Sequence, residues 1–296
     1  MLLGSVYVKQ GLPLHIRVMI VLKFVTNLKK LFDEQGEYIN KLCEDAFLIN
    51  TENGDVEINP EKLIEAGNDN SSVSDQEISG FVAYVVFRLL CIDSPYDGRQ
   101  TLTEFPFLTN ETKKDIESGK YGFIFSGGDN RFSEYKGRDT YHRWVNIPGK
   151  VREVLAGELS GEYASNKCLV LDDWLKAVRI LRDYLVFTDG QFKFCNPEKE
   201  EKALFINVDD YRIPVWPRKA VYAYHVDADI ADTENGLVAG INAEGRLENR
   251  SALKWIVSYE NENSEVNKGD SIKLEPGMNI TINEKELKIG SGDSNE

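Results

Sequence analysis

The sequence has few of the residues that usually mark an enzyme or a zinc protein. Its four cysteines, Cys43, Cys91, Cys168 and Cys195, are far apart, and no two form the C-x-x-C pair of a zinc knuckle or a thioredoxin-type site. With three histidines in the chain, a histidine-based mechanism has few candidates. No G-x-S-x-G elbow, phosphate-cradling loop or dinucleotide fingerprint is present. These absences point away from the common hydrolase and nucleotide-binding classes.

Long apolar runs are absent as well. The longest uncharged apolar stretch, Ile78–Phe87, is far shorter than the roughly 20 residues that a membrane-spanning helix needs. The first residues lack the basic start, apolar run and cleavage site of a secretory signal. Three cysteines lie beside large apolar residues, in KLCED, LLCID and KFCNP, which predicts buried free thiols. The sequence therefore predicts a cytoplasmic protein without membrane contact.

Positive charge is scarce. The chain has 49 acidic and 35 basic residues, and its net charge is −14. Because a general nucleic-acid binder needs the opposite excess to displace phosphate counterions, direct nucleic-acid binding is not expected. The charge is also uneven, since residues 1–32 contain no acid and residues 33–77 contain thirteen. This asymmetry predicts contact with a basic protein or self-association, alongside the simpler interpretation of a solvated acidic surface.

The residues that are present predict an α+β fold. An apolar content of 42% and a charged content of 28% are those of a globular chain that can bury a core. Residues 1–188 have mainly helical patterns with some strands. Residues 189–292 consist of short segments rich in β-branched and aromatic residues. We therefore expect a helix-rich N-terminal region followed by an antiparallel β-sandwich or barrel-like domain.

Several helices can be predicted from the spacing of apolar residues. Such residues recur at helical spacing from about Leu14 to Phe47, and Gly36 is a candidate break that would divide the segment into two helices. The segment SDQE, Ser74–Glu77, is a capping box before an almost entirely apolar helix that suits a core or an oligomer interface. Leu171–Phe187 is the clearest amphipathic helix. Two further segments are predicted as strands: SVYVK (residues 5–9) and YGFIF (residues 121–125).

The densest group of potential metal ligands is YHVDADIADTENG, residues 224–236. In a strand, alternate side chains share a face, so His225, Asp227 and Asp229 would point the same way, with Asp232 in the turn that follows. Because carboxylates and imidazole bind divalent cations, these four residues are candidate metal ligands, and the expected cofactor is either none or a divalent metal. The segment fails the calcium-loop signature, which needs other residues at its fifth and sixth positions. The alternative is an acidic strand end that binds nothing.

A second candidate site is the segment SGGDNRFSEYKGRDTYHRW, residues 126–144. Gly127 and Gly128 could expose backbone amides to a small anion. Arginine beside aromatic residues is also typical of protein-interface hot spots. The candidate interface residues are Arg131, Phe132, Tyr135, Arg138, Tyr141, Arg143 and Trp144. A protein interface, a small-anion pocket and a plain surface loop all remain open.

The leading hypothesis from the sequence is a non-enzymatic, acidic interaction protein. Its partner would be another protein with a basic surface, or a second copy in a homo-oligomer. One specific form is an inhibitor, such as a phage or mobile element encodes, that covers the basic surface of a nucleic-acid-processing or defence enzyme. The alternatives are a divalent-metal-dependent hydrolase or nuclease that uses the HVDADIAD cluster, and a structural assembly subunit.

Overall fold

The computed structural model describes residues 1–7, 9, 11–64, 72–105, 109–132, 134–162, 169–195, 203–227 and 236–291. The chain divides into two units, Met1–Arg182 and Asp183–Glu296. Helices lie mainly in the first unit and antiparallel sheets in the second, which confirms the predicted α+β fold. The boundary predicted after residue 188 falls inside a β-hairpin of the second unit. Among the described helices, none has both the length and the apolar character needed to cross a bilayer.

The first unit is built mainly from α-helices. These are α1 (Leu3–Tyr7), α2 (Leu14–Gln35), α3 (Asp75–Cys91), α4 (Arg99–Glu104), α5 (Asn110–Glu117), α6 (Glu134–Asn146), α7 (Gly149–Leu159) and α8 (Leu171–Tyr184), whose last two residues belong to the second unit. A small antiparallel sheet pairs β1 (Phe47–Ile49) with β2 (Val56–Ile58). Short 3-10 turns span Gly36–Tyr38, Glu44–Ala46 and Pro60–Leu63.

Helix α3 lies at the centre of this unit because it packs against α2, α6 and α7. Its start is fixed by the predicted capping box, which the structure confirms: Ser74 Oγ accepts the Glu77 N–H, and the Glu77 carboxylate accepts the Ser74 N–H. A buried polar contact joins α3 to α8, where Trp174 Nε1–H donates to Ser79 Oγ at 2.9 Å. The apolar character of α3 is therefore explained by burial inside the unit.

Several local predictions in the first unit are wrong. Residues 5–7 of the strand predicted over residues 5–9 belong instead to α1 (Leu3–Tyr7), which buries Leu3, Val6 and Tyr7. Residues 121–125 are turns, where Ile124 N–H donates to Pro95 O at 2.9 Å rather than to a neighbouring strand. α2 ends at Gln35, directly before the predicted break at Gly36, but short 3-10 turns stand where a second helix was predicted. The helix predicted to reach residue 187 ends at residue 184.

The second unit consists of antiparallel strands. They are β3 (Leu185–Thr188), β4 (Gln191–Phe194), β5 (Leu204–Val208), β6 (Tyr211–Pro214), β7 (Ala220–Tyr222), β8 (Leu237–Ile241), β9 (Arg246–Asn249), β10 (Trp255–Tyr259), β11 (Glu262–Val266), β12 (Ser271–Lys273), β13 (Asn279–Ile282) and β14 (Lys285–Ser291). β3 pairs with β4; a six-stranded sheet has the order β11-β10-β13-β14-β5-β6, and a four-stranded sheet has the order β12-β9-β8-β7. Of the strands that the structure describes, none closes a barrel.

Tight hairpins set the register of these strands. Residues 189–190, 260–261 and 283–284 each have two consecutive positive φ angles, which match the twist of a two-residue hairpin. In the separate pairing of β10 with β13, Trp255 lies opposite Ile282 and Val257 opposite Ile280. These side chains are buried together with residues of the four-stranded sheet, such as Val238. The two sheets thus share one hydrophobic core.

Candidate functional site

The first unit contains an open pocket of about 720 Å³. It is lined by residues 40–45, by the first half of α3, and by residues near α5. Its aromatic lining residues are Phe81, Tyr84 and Tyr96, and its charged lining residues are Lys41, Glu44, Asp45, Glu77 and Glu117. We call it the acidic–aromatic pocket. Four carboxylates against one ammonium group give its lining a negative charge.

Glu44 contributes a carboxylate that is partly withdrawn from water. The residue begins the 3-10 turn Glu44–Ala46, and a Cβ atom on Gly4 of α1 would stand 2.8 Å from its Oε2. Glu44 Oε1 is buried, and the Glu44 carboxylate forms a side-chain hydrogen bond with Tyr7. Burial raises the pKa of Glu44, and the nearby Tyr7 and Arg88 side chains oppose that rise only in part. A cation or a hydrogen-bond donor that reached this oxygen would therefore be stabilised.

Arg88 of α3 is held between two tyrosine rings beside this carboxylate. Its Cζ lies 4.3 Å from the ring centroid of Tyr7 and 5.5 Å from that of Tyr84, and its Nη1–H donates to Tyr84 Oη at 2.8 Å. Burial, and then the Glu44 carboxylate, raise the pKa of Tyr7. The Tyr7 hydroxyl is buried and donates a hydrogen bond to the Glu44 carboxylate.

Tyr84 and Tyr96 form the aromatic part of the pocket. Their ring centroids are 6.4 Å apart and their planes differ by 20°. Burial raises the pKa of each hydroxyl to about 12, so both side chains are neutral at physiological pH. Electron-rich ring faces beside carboxylates are the surroundings in which proteins bind ammonium and guanidinium groups. The pocket therefore has the chemistry of a cation site.

The acids at the edge of the pocket differ in their availability. Glu77 is engaged in the capping box, and its hydrogen bonds with Ser74 lower its pKa. Asp45 and Glu117 are exposed, and neither takes part in a salt bridge within the described part of the chain. Asp45 and Glu117 can thus attract a positively charged ligand, while Glu44 meets it inside the pocket.

We expect Glu44→Gln to stabilise the protein near pH 7. Because burial raises the pKa of Glu44 above its unfolded value, the folded state loses stability as the pH rises from the unfolded pKa through the folded one. The glutamine side chain of the variant does not ionise, so the variant does not lose stability in this way. The melting temperature of the Glu44→Gln protein should rise by a few degrees, because each kcal/mol of added stability raises it by about 2–4 °C in a unit of this size. The difference in melting temperature between the variant and the wild type should vanish at about pH 3.5, where the Glu44 carboxyl group is protonated in both the folded and the unfolded state.

Thermal scans of the wild type, Glu44→Gln and Glu57→Gln at both pH values check this expectation. Glu57 is an exposed acid of β2 outside the pocket, so its variant should change little at either pH. A Glu44→Gln protein that melts at or below the wild-type temperature near pH 7 would contradict the assignment of a destabilised carboxylate.

The structure places His225 in the core of the second unit, away from solvent. Residues 223–227, the described start of its segment, are not a strand, because Ala223–His225 form a 3-10 turn and Asp227 has a φ of 48°. The shared strand face predicted for His225 and Asp227 is therefore wrong. The turn forms because Tyr222 N–H donates to His225 Nδ1 at 2.9 Å. The proton then lies on His225 Nε2, which donates to Asp183 Oδ2 at 3.1 Å.

Asp227 lies in different surroundings from His225. Its carboxylate is exposed and pairs with Lys285 Nζ at 3.0 Å, which also contacts Asp209 Oδ2 at 2.6 Å. Asp229 and Asp232 lie outside the described residues. In the ranges that the structure covers, no group of three or more potential ligands is found. Metal binding by these residues stays a prediction, and His225 could take part only by giving up one of its two hydrogen bonds.

The segment of residues 126–144 is not a single loop as predicted, because α6 begins at Glu134. Trp144 is buried and stacks on Phe125, with ring centroids 5.0 Å apart and planes 9° apart. Phe132 stacks on the same ring at 5.4 Å. Trp144 also packs against Phe87 of α3, and this contact holds α6 on that helix.

The other candidate interface residues have mixed surroundings. Tyr141 is 46% exposed, while Arg131 and Arg143 are also exposed. Arg143 Nη1–H donates to Cys91 O at 3.4 Å. The side chains of Tyr135 and Arg138 lie outside the described part of the structure. A protein interface made by these residues and by Phe132 and Trp144 stays a prediction.

Comparison with models of protein families, with curated proteins and with solved structures finds no match to this chain. What it binds must therefore be inferred from the chemistry of its own residues. No sequence pattern singles out the residues of the acidic–aromatic pocket and the adjoining tyrosine, which are Tyr7, Glu44, Tyr84, Tyr96 and Glu117. The one local signal is the excess of acids that begins at residue 33.

Proposed function

We propose that the protein is a non-enzymatic interaction protein whose acidic–aromatic pocket receives a lysine or arginine side chain of a basic partner protein. The observation that carries the proposal is the group of four carboxylates, Glu44 among them, beside the neutral rings of Tyr84 and Tyr96. An ammonium or guanidinium group would add a charged partner to the Glu44 carboxylate. The apolar stem of the lysine or arginine side chain would also pack on the Tyr84 and Tyr96 rings, and its positive charge would lie over the ring faces.

Long-range electrostatics supports a partner of this charge. The net charge of −14 attracts basic surfaces and speeds their encounter at low salt. Asp45 and Glu117 at the pocket edge add negative charge where the ligand would enter. Binding should therefore weaken as salt rises, because exposed charges are screened within a distance of about 10 Å at 0.1 M salt.

A different protein fits the pocket better than a second copy does. The acid-free segment of residues 1–32 is the most basic part of the chain, but its basic residues are engaged within the first unit. Arg17 donates to three backbone carbonyls, including Leu89 O at 3.0 Å. Lys23 pairs with Asp55, and Lys29 pairs with Asp33 at 2.9 Å. Lys9 donates to Thr51 Oγ1 at 2.7 Å, and Lys30 lies 4.0 Å from Glu34.

The specific form of the proposal is a cytoplasmic inhibitor, of the kind that a phage or mobile element encodes. It would cover the basic surface of a nucleic-acid-processing or defence enzyme. Such a surface holds phosphates with lysine and arginine, so an acidic protein competes for the same groups. If the protein is such an inhibitor, it competes with DNA for the basic surface of the enzyme, so each displaces the other. The metal-dependent hydrolase and the structural assembly subunit stay predictions from the sequence.

Isothermal titration with a short lysine- and arginine-rich peptide tests the pocket. We expect Glu44→Gln/Glu117→Gln to weaken binding at least tenfold, which corresponds to about 1.4 kcal/mol. The matched control is Glu57→Gln/Glu153→Gln, which removes two charges from exposed positions of the same unit outside the pocket. It should weaken binding less than twofold. An equal loss in both variants would reduce the effect to overall charge and contradict the pocket assignment.

A further inference from the structure

A second cleft of the first unit, about 610 Å³ in volume, lies between α4 and the turn of residues 127–131. Its lining includes two arginines, Arg99 and Arg131, together with Gly127 and Gly128. We propose that this cleft binds the phosphate group of a small phosphorylated molecule. The site would be separate from the acidic–aromatic pocket. Its ligand would be negatively charged, whereas the ligand proposed for the pocket is positively charged.

The two arginines are available to an anion. Both side chains are exposed, and neither forms a salt bridge within the residues that the structure describes. This is unexpected in a chain whose 49 acids outnumber its 35 basic residues. A guanidinium group presents a planar fork of donors that matches two oxygens of a phosphate. Two such groups in one cleft can hold a phosphate from two sides.

The glycine turn adds backbone donors. In the described structure, the N–H groups of Gly127, Gly128 and Asp129 donate to no backbone or side-chain acceptor. The space around the two glycines is open, since a Cβ on Gly127 would meet nothing within 4 Å and one on Gly128 would lie 3.7 Å from Ser126 Oγ. Successive free N–H groups form concavities that bind anions. An oxyanion can thus approach the backbone directly.

The cleft is held in shape by a buried asparagine. Asn130 Nδ2 donates to Tyr96 O at 2.6 Å and to Gly122 O at 3.0 Å. The start of α4 is tied to the same turn, because Arg99 N–H donates to Arg131 O at 3.0 Å. Gly98 allows this approach, since a Cβ there would lie 2.0 Å from Asn130 O. The two arginines are therefore anchored on a rigid frame, which lowers the entropy cost of binding.

Two carboxylates in the lining indicate what else the ligand carries. Glu104 accepts a hydrogen bond from Gln100 Nε2 at 2.8 Å, and Asp129 is exposed. Both carboxylates weaken the binding of a bare anion, whereas a ligand with hydroxyl groups could donate to them. A phosphate joined to hydroxyl groups is the chemistry of a nucleotide or a sugar phosphate. A volume of about 610 Å³ is within the range of sites for such molecules.

The test uses the full chain, with inorganic phosphate and AMP as probes at constant ionic strength. Binding is followed by calorimetry and by the ¹H–¹⁵N signals of Gly127 and Gly128. We expect saturable shifts of both amides, with AMP binding more tightly than phosphate. The Arg99→Gln/Arg131→Gln variant should bind AMP at least tenfold more weakly than the wild type. The control Lys113→Gln/Lys114→Gln removes the same charge from exposed positions of α5 and should change the affinity less than twofold.

Unmoved amide signals with both probes would overturn the proposal, and so would equal weakening by the arginine and lysine variants. If phosphate bound and AMP did not, the assignment to a phosphorylated molecule with hydroxyl groups would be wrong. Because the amides of the wild type are read directly, the test does not depend on the variants folding. None of these variants alters the acidic–aromatic pocket, so basic-peptide binding reports on the other proposal separately.

Discussion

Asp183→Ala is expected to cost the second unit roughly 2–6 kcal/mol of stability. The Asp183 carboxylate is buried and accepts hydrogen bonds from Tyr224 Oη at 2.9 Å and from His225 Nε2 at 3.1 Å. Alanine leaves both donors without this acceptor, at about 1–3 kcal/mol for each buried group. The His225 ring cannot compensate by changing tautomer, because its Nδ1 already accepts the Tyr222 N–H.

Urea unfolding, followed through NMR signals of the second unit such as those of Trp255, measures this loss separately from the first unit. Asp183→Asn keeps one acceptor and should fall between the wild type and the alanine variant. The control is Glu286→Ala, whose carboxylate makes only a surface pair with Lys288 at 3.6 Å and which should change stability by less than about 0.5 kcal/mol. An Asp183→Ala protein within about 1 kcal/mol of the wild type would contradict the assigned network.

The second large effect concerns the frame of the arginine cleft. Asn130→Ala should destabilise the first unit by roughly 2–4 kcal/mol, because it leaves the carbonyls of Tyr96 and Gly122 without their donor. The Thr101 N–H also loses an acceptor, which lies 3.4 Å away in the wild type. Since these bonds hold the turn beside α4, the variant should bind AMP more weakly even where it remains folded.

Thermal unfolding and AMP titration of the same samples check both parts of this expectation. Asn146→Ala is the control, because its exposed amide donates to His142 O at 2.7 Å in the same helix and to no other acceptor among the residues that the structure describes. That variant should keep the wild-type affinity and lose less than about 1 kcal/mol. If Asn130→Ala unfolded at the wild-type temperature, Asn130 would not be what holds the turn.

Features that depend on a few neighbouring residues could be predicted from the sequence. The capping box of Ser74 and Glu77 is one, because both partners lie within one helical turn and satisfy each other's backbone groups. The β character of the second unit is another, since the alternation and turn residues of each hairpin are local. The mixed α+β fold follows from such local signals added along the chain.

Features that depend on distant partners could not be predicted. His225 looks like a metal ligand in a strand, but a hydrogen bond from Tyr222 and the buried Asp183 place it in a turn inside the core. The acidic–aromatic pocket joins Glu44, Tyr84 and Glu117 from separate elements, and no spacing in the sequence connects them. The same holds for Arg99 and Arg131, which only the folded turn brings into one cleft.

The central claim is that a basic side chain enters the acidic–aromatic pocket. The most direct measurement is a ¹H–¹⁵N titration of the full chain with the lysine- and arginine-rich peptide. We predict saturable shifts of amides that line the pocket, such as those of Glu44, Gly80, Phe81 and Ser118, which disappear in Glu44→Gln/Glu117→Gln. Shifts confined to other acidic segments, such as β11, or shifts that persist unchanged in the double variant, would contradict the claim.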